Sequence, residues 1–330
     1  MDNPAVDGIS LRQDWADLEP SEGVFSWTFL DSEVARAAAA GKQVLLRINT
    51  QAHKPAWVND AVVEAGGSFF TFSDSGIETT IPVFWDPTFL AKKKAMIAAV
   101  GAHFTKNPAI TIVWASFANA NSEDWAVPHT TADITQWSAL GYTTEKMLDA
   151  GMQIIDATMA AFPNQFVTLA VGGSGHAGAS GNLDPDASYV ARNEVLEARA
   201  TWPGRLIVQK NNVATFNPQA PATDTLGQIL WDSRPDVGGQ MLDASFDDNT
   251  YRNNAGVTAS PNQILRDSIN RGFSYGMKFI EIYQLDVLNL PSEITYAHNL
   301  LRGFAPPPPD ALPIGAPKPP GSVKAVTETP

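Results

Sequence analysis

A glutamate set in the middle of an apolar strand is where the chemistry of this sequence starts. In KFIEIYQLDV, Lys278 to Val287, β-branched and aromatic residues alternate, which predicts a strand. Ile280 and Ile282 then share one face, and Phe279, Glu281 and Tyr283 the other. If the isoleucines pack on helices, Glu281 points inward, where a carboxylate is costly unless it is paired or hydrogen-bonded. Earlier strands offer partners. GISLRQDW puts Ser10, Arg12 and Asp14 opposite Ile9 and Leu11, and QVLLRINT puts Leu45, Arg47 and Asn49 opposite Val44, Leu46 and Ile48. Glu281 is therefore either half of a buried ion pair with Arg12 or Arg47, or a catalytic carboxylate whose ionisation those arginines control.

Other polar clusters follow strand ends. ANANSEDWAVPH brings Asn119, Asn121, Glu123, Asp124, Trp125 and His129 into one loop, a mixture of hydrogen-bonding and stacking groups suited to a sugar. Glu123 is the proton-donor candidate there, and Asp14 is the other, two residues after Arg12 on the inward face. RLIVQKNN ends in four polar residues; with Leu206 and Val208 outward, Gln209 and Asn211 face in, and amides suit hydroxyl-rich ligands. A Schiff base on Lys210 has no supporting neighbour. The five histidines lack paired metal spacing and there is no cysteine, so neither a metal nor another cofactor is expected. GGSGHAGASG fits neither phosphate-binding glycine pattern.

The elements that must position these groups alternate strictly. Strands are expected at GISLRQDW, QVLLRINT, ITIVWASF, FVTLAVGG, RLIVQKNN, VGGQMLDA and KFIEIYQLDV, with VGGQMLDA the weakest because of its two glycines. Helices are expected near 29–40, from Asp86 as N-cap with Pro87 behind it, near 144–162, 188–201 and 225–232, from Ser260 and Pro261 through Ile264, Leu265 and Ile269, and near 291–301. The intervening 51–85 is expected as a long polar segment, and Lys92, Lys93 and Lys94 as a solvated helix face. Seven strand-helix units imply a parallel sheet wrapped by helices, and their length fits a (β/α)8 TIM barrel better than an open sheet. One strand is missing; GISLRQDW is expected to be the barrel's second and KFIEIYQLDV its eighth, with the first upstream of Met1.

The 330 residues, 44% of them hydrophobic, can bury a large core. A net charge of -13 argues against nucleic acid and anionic membranes as partners, and no apolar run is long enough for membrane insertion. MDNPAVDG lacks the basic and apolar regions of a signal peptide. The barrel domain is expected over residues 1–304. Residues 305–330, beginning APPPPDALPIGAPKPPG, form a proline-rich linker and the start of a further module, a layout associated with extracellular or cell-surface proteins.

DWADLEPSEGVFSWTFLD followed by GKQVLLRINTQAHKPAW resembles the second and third barrel strands of clan A glycoside hydrolases, nearest the family 42 β-galactosidases. Trp15, Leu18, Glu19, Pro20, Glu22, Gly23, Phe25, Pro55 and Trp57 carry the resemblance, over about the first sixty residues. It implies a glycoside hydrolase in which Glu19 is a structural hydrogen-bonding residue and Arg12 supports an ionised carboxylate. The clan's catalytic pair, an Asn-Glu after the fourth strand and a glutamate ending the seventh, is not matched: no glutamate directly follows Asn119 or Asn121, and VGGQMLDA offers Gln240 and Asp243. The expectation is a secreted bacterial hydrolase of a polysaccharide or oligosaccharide. Its catalytic residues would be Glu281 with Glu123 or Asp14; Arg12, Arg47, Asn119, Asn121, Trp125, Gln209, Asn211 and Tyr283 would bind substrate. The alternative is a catalytically silent carbohydrate-binding barrel. A lyase with Tyr283 as base is a third.

Overall fold

At four helix starts a side chain satisfies a free amide of the first turn. In the computed structural model, which describes residues 1–74, 77–116, 131–171, 189–247 and 253–302, Asp86 accepts from the Phe89 amide and is followed by Pro87. Thr143 accepts from Lys146, Asp224 from Leu226 and Gly227, and Ser260 from Gln263.

The elements run β1 (Gly8–Asp14), α1 (Trp15–Leu18), α2 (Thr28–Ala39), β2 (Gln43–Asn49), a 3-10 turn (Gln51–His53), α3 (Ala56–Glu64), β3 (Phe69–Asp74), β4 (Ile77–Pro82), α4 (Pro87–Phe104) and β5 (Ile110–Trp114). Then come α5 (Thr131–Ala139), α6 (Thr144–Ala161), β6 (Phe166–Ala170), α7 (Tyr189–Thr201), β7 (Leu206–Val213), α8 (Thr225–Ser233), β8 (Val237–Met241), α9 (Pro261–Ser274), β9 (Met277–Glu281), α10 (Gln284–Asn289) and α11 (Pro291–Arg302). Seven parallel strands form one sheet in the order β1-β2-β5-β6-β7-β8-β9, while β3 and β4 make a separate antiparallel hairpin. Among the described residues the sheet is a (β/α)8 barrel lacking one strand, its edges being β1 and β9.

Alternation sorts each strand as expected. Leu11, Val44, Leu46 and Ile48 join the core under α2 and α4, while Val167, Leu169, Leu206, Val208, Val237 and Met277 join the core under the later helices. A smaller apolar group of Leu45, Trp114 and Ala170, with Ile112 and Phe279 against it, fills the barrel interior. The two glycines of β8 are a packing requirement rather than a weakness: a Cβ on Gly238 would lie 2.4 Å from Cζ of Phe279, and one on Gly239 would lie 2.6 Å from Sδ of Met277.

Four expectations need correcting. The segment 51–85 holds α3 and the hairpin, and α5 precedes α6. KFIEIYQLDV is a strand only as far as Glu281; Tyr283 caps α10. Lys93 is fully buried, its Nζ donating to Thr50 Oγ1 at 2.6 Å, whereas Lys92 reaches Glu22 at the surface. Residues 303–330, which include the proline-rich stretch, lie outside the described residues.

Candidate active site

Barrel enzymes place their chemistry at the C-terminal ends of the strands, and a hydrogen-bonded chain of polar side chains crosses the interior there. Thr168 of β6 donates to Gln209 Oε1 at 3.0 Å, and Gln209 Nε2 donates to Glu281 Oε1 at 2.7 Å. The other carboxylate oxygen of Glu281 lies 3.5 Å from the Arg12 guanidinium, which also donates to Gln240 Oε1 at 3.1 Å. Gln240 and Glu281 are register partners on β8 and β9, so they stand side by side on the inward face. Gln209 is buried outright and the Glu281 side chain is 12% exposed. A carboxylate with an amide donor on one oxygen and a guanidinium on the other is thereby fixed in one orientation.

Period-two alternation, visible in the sequence, put Arg12, Gln209 and Glu281 on the inward face. It also put Asn211 there, and Gln209 Nε2 donates to Asn211 Oδ1 at 3.2 Å. Of the two arginines offered as partners, Arg12 reaches Glu281. Arg47, 1% exposed, lies with its guanidinium carbon 4.3 Å from the centroid of the Trp114 ring, a cation–π contact inside the barrel. Tyr283 is not part of the interior chain: it is 39% exposed beyond the strand end, and its hydroxyl donates to the Leu242 carbonyl at 3.4 Å. Lys210 faces the other side of β7. Burial pushes its ammonium pKa down and Asp224 partly offsets this. Glu123, Asn119, Asn121 and Trp125 lie outside the described residues.

Asp14 ends β1 at the mouth of the barrel. Its Oδ1 accepts from Asn49 Nδ2 at 2.8 Å, and its Oδ2 lies 3.0 Å from His53 Nδ1. The sequence had placed Asn49 inward without a role and left His53 among scattered histidines; the signal lay in the close succession of Asn49 and His53 after an inward-facing strand end. Between them, Gln51 takes a positive φ of 50° and turns the chain back toward β1.

Beyond β8 and β9, Asp286 ties the two loops together. It is fully buried and accepts from the Ser245 amide at 2.9 Å and the Phe246 amide at 2.7 Å. Burial raises its pKa and the two amide donors pull it down. Asn253 pins the same loop, bonding both the amide and the carbonyl of Asp243.

The Trp and Leu-Glu-Pro segment proves to be a brace. Glu19 is 4% exposed, accepts from Trp15 Nε1 at 2.7 Å and from the Gly23 amide at 2.8 Å, and its carbonyl accepts from Trp57 Nε1 at 3.0 Å. Gly23 has φ 75°, which explains the glycine of the motif. The spacing of this segment therefore serves the loop that joins β1 to α2, as expected for Glu19.

Residues 5–151 match the family model described as beta-galactosidase (Glyco_hydro_42). A search of curated proteins gives no match. Among solved structures, the catalytic domain of β-amylase from Paenibacillus polymyxa superposes with a TM-score of 0.61 at 10% identity, over 92% of each chain. Native xylanase 10B from Thermotoga maritima gives 0.48 at 11% identity, over 89% of this chain and 86% of that one. The first of these supports the barrel as the fold. Residues 5–151 thus resemble the β-galactosidase family model, on a chain whose fold is that of a (β/α)8 barrel.

Proposed function

We propose that the protein cleaves glycosidic bonds of a polysaccharide or oligosaccharide at the mouth of the barrel, with Glu281 as the principal carboxylate. The observation that carries this is the seating of Glu281 at the end of the last strand, between Gln209 Nε2 at 2.7 Å and the Arg12 guanidinium at 3.5 Å. An amide donor on one oxygen and a guanidinium charge beside the other hold the carboxylate in one orientation, as a nucleophile or a base toward water requires. Glycoside hydrolysis needs a second carboxyl group across the scissile bond. Asp14 stands at the same mouth, and Glu123 is the other sequence candidate. An extracellular setting agrees with the proline-rich sequence after residue 304.

A second reading has its own support. Gln240, an amide, stands inward on β8, the strand corresponding to the barrel's seventh, where the resembled clan carries its nucleophile. A barrel that binds carbohydrate without cleaving it would show this. Hydrolysis of plant, algal and bacterial polysaccharides and of aryl glycosides, with Glu281→Gln in parallel, separates the two. The hydrolase predicts activity that falls by about a hundredfold or more in a folded Glu281→Gln protein. Sugar binding without turnover in both proteins would establish the silent barrel.

A further inference from the structure

We propose that Asp14, Asn49 and His53 form a hydroxyl-binding subsite that holds one pyranose ring beside Glu281. The inference rests on the proposed carbohydrate function and adds the site that grips the sugar. Three of the histidines are described, and each bonds an aspartate: His53 to Asp14, His103 to Asp31 and His298 to Asp7. The second joins α4 to α2, and the third joins α11 to the chain before β1, at the strands' N-terminal end. Only the Asp14 pair, among these, lies at the C-terminal mouth, and only there does a side-chain amide, Asn49, hold the second carboxylate oxygen.

The chemistry left over is that of a hydroxyl clamp. An ionised carboxylate offers about four lone-pair sites, and Asn49 and His53 occupy two. The bond through Nδ1 leaves the Nε2 edge of His53 directed away from Asp14. Both side chains are open to solvent, 37% exposed for Asp14 and 48% for His53, so a ligand can reach them. Fixed acceptors and an imidazole nitrogen on neighbouring strand ends match adjacent hydroxyls of a sugar. Arg12 links the two places. Asp14 lies two residues beyond Arg12 on the same strand face, about 6.6 Å along the strand, and Arg12 touches Glu281 at 3.5 Å. A pyranose ring lying over Arg12 would place hydroxyls on Asp14 and His53 and its anomeric carbon toward Glu281; in that pose Asp14 binds the sugar, and the acid/base role falls to the other sequence candidate, Glu123.

The test is a titration of the protein with methyl β-galactoside, glucoside, mannoside and xyloside. It is followed by the ring resonances of His53, assigned with His53→Gln, and by calorimetry. Aryl glycoside hydrolysis is measured in parallel. At least one glycoside should shift the His53 signals saturably. Asp14→Asn and His53→Gln should each weaken its binding about tenfold or more, while Glu281→Gln keeps it within about threefold. A glycoside that binds without moving His53, or equally well to both variants, would overturn the subsite. Hydrolysis with no binding at His53 overturns the subsite and leaves the hydrolase standing; binding at His53 with no hydrolysis does the reverse.

Discussion

Replacing Glu194 by methionine should stabilise the protein, because Glu194 is a carboxyl group buried in an apolar place. It sits on α7 in the same stripe as Val190, Ala191, Val195 and Ala198, has no exposed surface, and neither of its oxygens has a hydrogen-bond partner among the described residues. Burial pushes its pKa well above the ordinary carboxyl range. Burying a polar group without a partner costs roughly 1–3 kcal/mol in proteins. Methionine is unbranched, close in volume and free of that cost. The expected gain is about 1–3 kcal/mol, or a rise in Tm of about 2–6 °C. The pH dependence has a definite sign. A carboxyl whose folded pKa is raised contributes stability that is fully present below its unfolded pKa and is lost as pH rises through the folded value. Thermal melts from about pH 5 to about pH 9 should therefore show the variant's advantage growing with pH. A Glu194→Met protein that melts below wild type across that range would refute the argument and point to a polar partner for the carboxyl.

Three other outcomes follow from the packing. Gly238→Ala should cost about 1–3 kcal/mol, since its Cβ would fall 2.4 Å from the Phe279 ring in the filled interior; chemical denaturation measures it, and an unchanged midpoint would mean that the interior gives way. Asp86→Ala should cost about 1 kcal/mol by removing the cap that accepts from Phe89 at 2.8 Å, whereas Asp86→Asn should restore most of it; equal losses in both would show that the cap is not the cause. In a double-mutant cycle, Arg12→Met and Glu281→Gln should couple by about 1 kcal/mol in denaturant unfolding, because their contact joins two strands with no backbone bonds between them; additive effects would show that the contact does not hold the edges.

Much of the barrel was legible because it depends on a local, period-two signal. Ile280 and Ile282 against Glu281, Val44, Leu46 and Ile48 against Arg47, and Leu206 and Val208 against Gln209 each specify which way a strand faces, and the helices packed on one face of the curled sheet turn that into inside and outside. What stayed hidden depends on contacts distant in sequence. Lys93 looked like one of three solvated lysines, and only Thr50, 43 residues away, gives its ammonium a place in the core. The β8 glycines looked like weak strand formers until the Phe279 ring stood opposite them. His53 was one of five scattered histidines until the turn at Gln51 brought it onto Asp14. Glu194 did carry a local signal, lying three residues after Ala191 and four before Ala198 on a helix face that is otherwise apolar.

The open edge between β1 and β9 bears on how the site works. Both edge strands are only partly buried, whereas every residue of β8 is buried. Backbone hydrogen bonds position neighbouring side chains elsewhere in the sheet, but the register of Arg12 against Glu281 has no such ladder to fix it. Side chains do that work instead. Arg12 spans to both Gln240 and Glu281, while at the opposite end Asp7 meets His298 of α11 and Lys42 Nζ holds the carbonyls of Asn3 and Val6. The Arg12 guanidinium thus has two duties, presenting a positive charge to the carboxylate and setting the distance between two strand edges. A lysine could supply the charge but not the planar, multi-donor reach to an amide and a carboxylate at once. This makes arginine, rather than positive charge alone, the requirement at position 12.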